Sequence, residues 1–370
     1  MRVTIERSAF LKALTHVQSV VERRNTIPIL SNVLVQAGEG EVRLTATDLD
    51  IEIIESTPAD VAKPGATTVP AHMLHDIVRK LPDGAQLEIE QGPDSGRVSV
   101  FAGRSRFALQ ALPPDDFPDL NAGELPHRFA LPASDLKGLI EKTRFAISTE
   151  ETRYYLNGIY LHEVPAAKLL RAVATDGHRL AQAQVPRPKG AEGMPGIIVP
   201  RKTVGEVQRL IEDLEAEVAI ELSQTKIRFT IGDVMLTSKL IDGTFPDYGR
   251  VIPAGNDKTL IVDKPEFEAA VDRVSTVSSE RGRAVKLALS GGKLVLTVTN
   301  PDSGSATEEL EVEYDSDPID IGFNSRYLLD IASQIEGDVA VLKLADPGSP
   351  TLIQDKDSGG ALYVLMPMRV

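Results

Sequence analysis

The chain has 370 residues, with 40 Lys+Arg against 54 Asp+Glu for a formal net charge of −14, and it contains neither Cys nor Trp. The lack of cysteine excludes a disulfide framework, a thiolate metal site, a Cys nucleophile and thiol redox chemistry, and it fits a reducing, cytoplasmic setting. The length predicts two or three domains, no apolar run is long enough for a membrane span or signal sequence, and a uniformly acidic surface would repel duplex DNA.

Period-two alternation predicts strands at RVTIE (2–6), GEVRLTA (40–46), DIEIIES (50–56), AQLEIE (85–90), RVSVFA (97–102) and RFALQAL (106–112). GEGE (38–41), PDG (82–84), GPDSG (92–96) and SGGK (290–293) read as turns. SGGK lacks the spacing of a phosphate loop and lies between AVKLALS and KLVLTVT, so a hairpin is expected there. Helical spacing begins at Ser8, Ala71, Ser134, Pro200, Lys264 and Asn324. Phe10, Leu11, Leu14, Val17, Val20 and Val21 form one apolar face, and Val204, Val207, Leu210 and Ile211 another. Ser134 and Asn324 are candidate N-caps.

Two helices fall in each third of the chain, and the thirds repeat. SAFLKAL (8–14) aligns with ASDLKGL (133–139) and loosely with PEFEAAV (265–271). LTATDLDIEI (44–53) aligns with AVATDGHRLA (172–181) and VLTVTNPDSG (295–304), which makes Thr47-Asp48, Thr175-Asp176 and Thr299-Asn300 equivalent. VPAHMLHDIVRKL (69–81) matches VPRKTVGEVQRLI (199–211) and FNSRYLLDIASQI (323–335), and Phe117 matches Phe245. The predicted fold is α+β: three tandem domains at 1–122, 123–253 and 254–370, each with two helices packed on antiparallel sheet. Such a row can stay open or curve round.

The six helical windows hold twelve basic and twelve acidic residues, so the whole excess of −14 lies in strands and loops. Arg23 and Arg24 follow the first helix, and Arg281 and Arg283 the fifth. Charge counting alone suits an ordinary solvated helix face; the sharper reading is a helical surface turned toward phosphates. GRSRFALQ (103–110) is a basic strand and EELEVEYD (308–315) an acidic one. These edges could pair between chains, head to tail, into a ring, or simply deter aggregation.

Catalytic signals are weak. Asp176-Gly-His178-Arg179 offers a general base and an orienting acid, but the equivalent positions read Asp48-Leu-Asp50 and Asn300-Pro-Asp302, and no nucleophile motif accompanies them. Asp48 and Asp50 lack further cation ligands, and His72 and His75 lack a third metal ligand. The expectation is no catalytic residue, no metal and no cofactor. A hydrolase or transferase centred on Asp176 and His178, and a monomeric peptide scaffold, are the alternatives. The terminal run Val364–Met368 can complete a sheet or offer adaptable, Met-rich surface to a peptide.

RRNTIPILSNVLVQ (23–36), TATDLDIEI (45–53), FPDL (117–120), RYYLNGIYL (153–161), VATDGHRLA (173–181), VPRKTV (199–204), TSKLIDGTFPDYGRVIP (237–253) and the terminal VLMPMRV resemble the bacterial DNA polymerase III β subunit, the sliding-clamp family, along the whole chain. The resemblance implies a non-catalytic homodimeric ring around duplex DNA, with helices lining the hole and sheets outside. It also implies short clamp-binding peptides from the replicative polymerase, the clamp loader, other polymerases and repair proteins. Their cleft maps onto Leu156, Thr175, Gly177, His178, Arg179, Leu180, Pro246, Arg250, Val251, Val364, Met366, Pro367, Met368 and Arg369. Arg24 matches a DNA-contacting arginine, and Arg79, Lys142, Arg201 and Lys202 complete the expected DNA-facing set. The expected dimer interface takes Arg104, Arg106, Phe107 and Leu109 from one end, with Thr276, Val277, Glu308, Glu309 and Glu311 from the other. Glu150 and His72 depart from the family pattern in ways that lower attraction to phosphate, and Val370 replaces a larger Leu.

Overall fold

In the computed structural model, which describes residues 1–92, 96–278 and 283–370, alternating sequence becomes alternating burial. Val3 and Ile5 of Arg2–Glu6 are buried while their neighbours are not, as a strand with one covered face requires. The middle of the predicted turn at 92–96, and Arg281, lie outside the described residues. The strands form antiparallel sheets of five, eight, eight and four members. At SGGK, Ser290 pairs with Lys293 across Gly291 and Gly292, whose φ values of +47° and +80° suit a two-residue hairpin.

Six α-helices accompany the sheets among the described residues: α1 (Arg7–Val17), α2 (Ala71–Lys80), α3 (Ala133–Arg144), α4 (Arg201–Ile211), α5 (Lys264–Ser275) and α6 (Ser325–Ala332). The predicted faces are the buried ones, with Leu11 and Leu210 only half-covered and Ala13 and Thr203 added. Asn324 caps α6 by accepting from the backbone N–H of Arg326 (3.0 Å) and Tyr327 (3.3 Å). Ser134 does not cap α3: the helix already starts at Ala133, whose N–H bonds Ala216 O at 2.9 Å, so Ser134 lies inside the first turn. The first helix is also shorter than its apolar run, which continues as a 3-10 turn, Gln18–Val20.

The repeat is visible in hydrogen bonds. Thr47 Oγ1 donates to Ile51 O at 2.8 Å and Asp48 Oδ1 accepts from the N–H of Asp50 and Ile51. Thr175 and Asp176 do the same to Arg179 O and to the N–H of His178 and Arg179. Both turns need a left-handed residue at one position: Gly177 takes it at φ +88°, whereas Leu49 takes it at φ +79° with a side chain that disfavours it. In the third copy Asn300 Oδ1 accepts from the Asp302 N–H, keeping part of the turn.

Sheets run across the repeat boundaries. The last strand of the middle repeat, Val234–Lys239, pairs antiparallel with the fourth strand of the first, Ile51–Pro58. The last strand of the third repeat, Ala361–Leu365, pairs likewise with the fourth strand of the middle one, Arg179–Pro186. Compactness accordingly divides the chain differently from the repeat. One unit comprises Met1–Leu136, Pro188–Ala191 and Lys202–Leu240; the other comprises Lys137–Arg187, Glu192–Arg201 and Ile241–Val370. The middle repeat contributes to both.

Candidate functional site

The second unit contains an apolar cluster whose floor is buried and whose rim is open. Leu156, Val173, Leu180, Ile198, Phe245 and Val364 are buried together, and Tyr155, Tyr160, Ile241, Tyr248, Ile252, Leu352 and Leu362 pack against them. The sheet pairing Leu180↔Val364 sets the two floor residues side by side. From there the chain turns outward: the Met366 N–H bonds His178 O at 2.9 Å, and the Met368 N–H bonds Gly322 O at 2.8 Å. Pro246, Arg250, Val251, Met366, Gly177, His178 and Arg369 are exposed, and Thr175, Arg179, Pro367 and Met368 half-buried. Val251 at 47% and Met366 at 38% are unusually open for apolar side chains. Of the expected cleft residues, Leu156, Leu180 and Val364 share one apolar floor, and Met366 is tied to the His178 turn that leads out of it.

Arg179 is not a free rim cation. Its Nε donates to Asp176 Oδ2 (3.1 Å), one Nη to Asp330 Oδ2 (2.5 Å) and the other to Phe145 O (2.8 Å). The guanidinium also stacks 4.2 Å from the centroid of Tyr327 and 5.1 Å from that of Phe145. With each nitrogen engaged, Arg179 positions the 175–180 turn rather than reaching for a ligand. The same bonds occupy Asp176, so it does not orient the His178 ring, which instead stacks on Tyr327 at 6.3 Å. A catalytic dyad is thereby lost.

The sequence reading left out a polar anchor behind the cluster. His162 Nδ1 bonds Glu163 O at 2.9 Å, and Nε2 meets the Tyr248 hydroxyl at 2.8 Å. Arg171 Nη1 donates to the same hydroxyl at 3.1 Å. Burial pushes the His162 pKa down, the bond to Glu163 O pulls back and Arg171 adds repulsion, so the neutral ring's Nε2 accepts a hydrogen bond from the Tyr248 O–H. Tyr160 stacks between His162 (4.7 Å) and Phe245 (4.8 Å). Tyr160 and Tyr248 lie in the family-like motifs 153–161 and 237–253, and Phe117 matches Phe245, whereas no sequence signal pointed to His162 or Arg171.

The expected DNA-facing residues divide. Arg24 and Arg201 are exposed and carry no ion pair among the described residues. Arg79 is exposed but pairs with Asp76 at 3.3 Å, and Lys142 is held by Glu336 at 2.9 Å. Lys202 binds Asp48, Glu22 (3.6 Å) and Val20 O (3.4 Å). Burial alone would raise the Asp48 pKa, yet the Lys202 hydrogen bond and two backbone N–H groups outweigh it and hold the carboxyl below its ordinary range. Arg209, unforeseen, donates to His16 O (3.1 Å) and Ser19 Oγ (2.6 Å), which satisfies the carbonyl end of α1.

Of the expected interface residues, Arg104, Arg106, Thr276, Glu309 and Glu311 are exposed, whereas Leu109 is buried against its own sheet. Phe107, Val277 and Glu308 are half-buried. Glu308 is held by Arg273 (Nε–Oε2 3.1 Å), which keeps its carboxyl below the ordinary range, and Glu309 pairs with Lys293 at 2.8 Å. Two of the five acids of the 308–315 edge, Glu308 and Glu309, are thus compensated within the chain. Arg106 lies 5.1 Å over the Phe101 ring. Asp50 pairs with Lys239 at 3.1 Å and His72 Nε2 with Val21 O at 2.8 Å. Among the described residues no group of three His, Asp or Glu could hold a metal, and no helix is long and apolar enough to cross a membrane.

Known proteins resemble the chain from end to end. Residues 1–121, 130–247 and 249–369 match the N-terminal, central and C-terminal domains of the DNA polymerase III beta subunit. A beta sliding clamp of Caulobacter vibrioides is 55% identical, and that of Escherichia coli K12 39%, each over 100% of both chains. Among solved structures, a sliding clamp of Bartonella birtlesii bound to griselimycin superposes with a TM-score of 0.97 at 57% identity, covering 100% of both chains. A Caulobacter crescentus clamp gives 0.98 at 55% identity, over 100% of this chain and 99% of that one.

Proposed function

The chain belongs to the family of DNA polymerase III beta subunits, the sliding clamps, and from this we propose that two copies close head to tail around duplex DNA. One observation carries the reading. At both junctions inside the chain, the last strand of one repeat pairs with the fourth strand of the repeat before it. Two such strands are left at sheet edges: Ser105–Gln110, the last of the first repeat, and Gly304–Glu311, the fourth of the third. In this reading they are the two halves of a third junction of the same kind, completed by a second chain. Two chains that exchange these halves make a closed, head-to-tail ring of six domains.

The domains in this reading are 1–122, 123–253 and 254–370. The ring works without catalysis in the cytoplasm, holding polymerases and repair proteins on DNA by topology. Arg24 and Arg201 are its free phosphate-facing cations, while Arg79, Lys142 and Lys202 act with their acidic partners attached, which keeps contacts weak and sliding easy. The apolar cluster takes a short partner peptide whose Leu and Phe anchors fill the floor over Leu180 and Val364. Arg250, Arg369 and His178 stand at its rim. No nucleotide motif is present, so opening the ring falls to a separate ATP-driven loader.

The test loads the protein on nicked circular DNA with its loader and then linearises the circle. Release from the free ends is expected; retention would sink the sliding-ring reading. In parallel, His178→Ala is expected to weaken peptide binding with the fold intact, and to abolish no hydrolytic activity.

A further inference from the structure

The cluster in the second unit has a counterpart in the first whose chemistry is opposite. Across the second unit's eight-stranded sheet, the register sets Leu180, Val364, Leu352, Lys343 and Thr259 in one row. The equivalent row in the first unit runs Glu52, Thr237, Arg228, Glu221 and Arg128. Where Leu180, Val364 and Leu352 give the cleft its apolar floor and wall, the counterpart has Glu52, Thr237 and Arg228. The floor positions are equally covered, at 2% exposure for Leu180 and Val364 against 6% for Glu52 and 1% for Thr237.

The polar row is stitched to itself. Arg228 Nε donates to Thr237 Oγ1 at 3.2 Å, Arg128 Nε pairs with Glu221 Oε1 at 3.0 Å, and Glu52 accepts from the Leu120 N–H at 3.3 Å. A cavity of about 500 Å³ opens over Arg128, Glu221 and Arg228, bounded by residues 123–126. An apolar peptide laid there would strip water from the charged groups and offer no bonds in return.

We infer that Glu52, Thr237 and Arg228 are specificity determinants that bar the apolar partner peptide from the first unit. The inference rests on the cleft reading above and adds to it why the first unit, built on the same strand pairing, carries no second site of this kind. Calorimetric titration of the full-length protein with acetyl-Gln-Leu-Ala-Leu-Phe tests it. Wild type is expected to bind one peptide per chain, and Glu52→Leu/Thr237→Val/Arg228→Leu two. Removing Thr237 and Arg228 together deletes both partners of their hydrogen bond, which limits the cost to folding. Should the triple variant not fold, Leu352→Arg writes the first unit's residue into the cleft wall, and an affinity loss of at least tenfold at an unchanged melting temperature is expected. Two peptides per wild-type chain would overturn the inference, as would one per folded triple variant or an unaffected Leu352→Arg. No binding to wild type at all would refute the cleft reading itself, and the inference with it.

Discussion

Glu52 illustrates how a single buried acid can carry both selectivity and a pH signature. Burial is the largest influence on its carboxyl and lifts the pKa above the ordinary 4.5; Asp119 pushes the same way, while the Leu120 N–H, Arg228 and Arg43 pull back. A folded-state pKa above the unfolded one means the native protein holds this proton more tightly. The stabilising share of Glu52 is therefore complete below about pH 4.5 and is lost as pH rises through the folded value. Glu52→Gln keeps an oxygen for the Leu120 N–H and removes the ionisation. It should leave denaturant stability nearly unchanged at pH 4 and raise it at pH 7.5. A loss of stability at pH 7.5 would mean that the arginines, not burial, govern this site.

Among the elements, the caps and faces show what can be read from local pattern and what cannot. Asn324 satisfies two first-turn N–H groups of α6, an eight-residue helix that also carries Tyr327 and Asp330, the partners of Arg179. Asn324→Ala is expected to cost about 1 kcal/mol in global stability by chemical denaturation. A cost near zero would show that packing alone holds the helix start. Strand alternation, six helices and the threefold repeat were legible because each is written in residues close together in the chain. Ser134 misled because a cap is decided by where the preceding strand ends, and Pro132 closes that strand one residue early. The apolar cleft residues were legible through long family motifs. The saturation of Arg179 was not, since Phe145 and Asp330 come from elements 34 and 151 residues away. His162 and Tyr248, 86 residues apart, were missed for the same reason.

For the whole molecule, the governing fact is that repeats and sheets are out of phase: each internal junction is a main-chain ladder between neighbouring repeats, and Ser105–Gln110 and Gly304–Glu311 are left as edge strands. Opposite net charge on the two free edges suggested an electrostatic interface from sequence alone. The side chains change that expectation. Glu308 and Glu309 already pair with Arg273 and Lys293, and Leu109 is committed to its own core, so two of the three expected interface acids are compensated before chains meet. Affinity between chains should then come from strand pairing and apolar contact, with charge setting partner choice more than strength. Exposed ion pairs are also the contacts that salt screens most. Sedimentation of the purified protein is thus expected to show a dimer whose dissociation constant shifts by less than about tenfold between 0.1 and 0.5 M NaCl. Arg104→Glu/Arg106→Glu should weaken it by a comparable, modest factor. Dissociation by salt over several orders of magnitude would restore charge as the force that closes the ring, and would require the Arg273 and Lys293 pairs to break open when the chains meet.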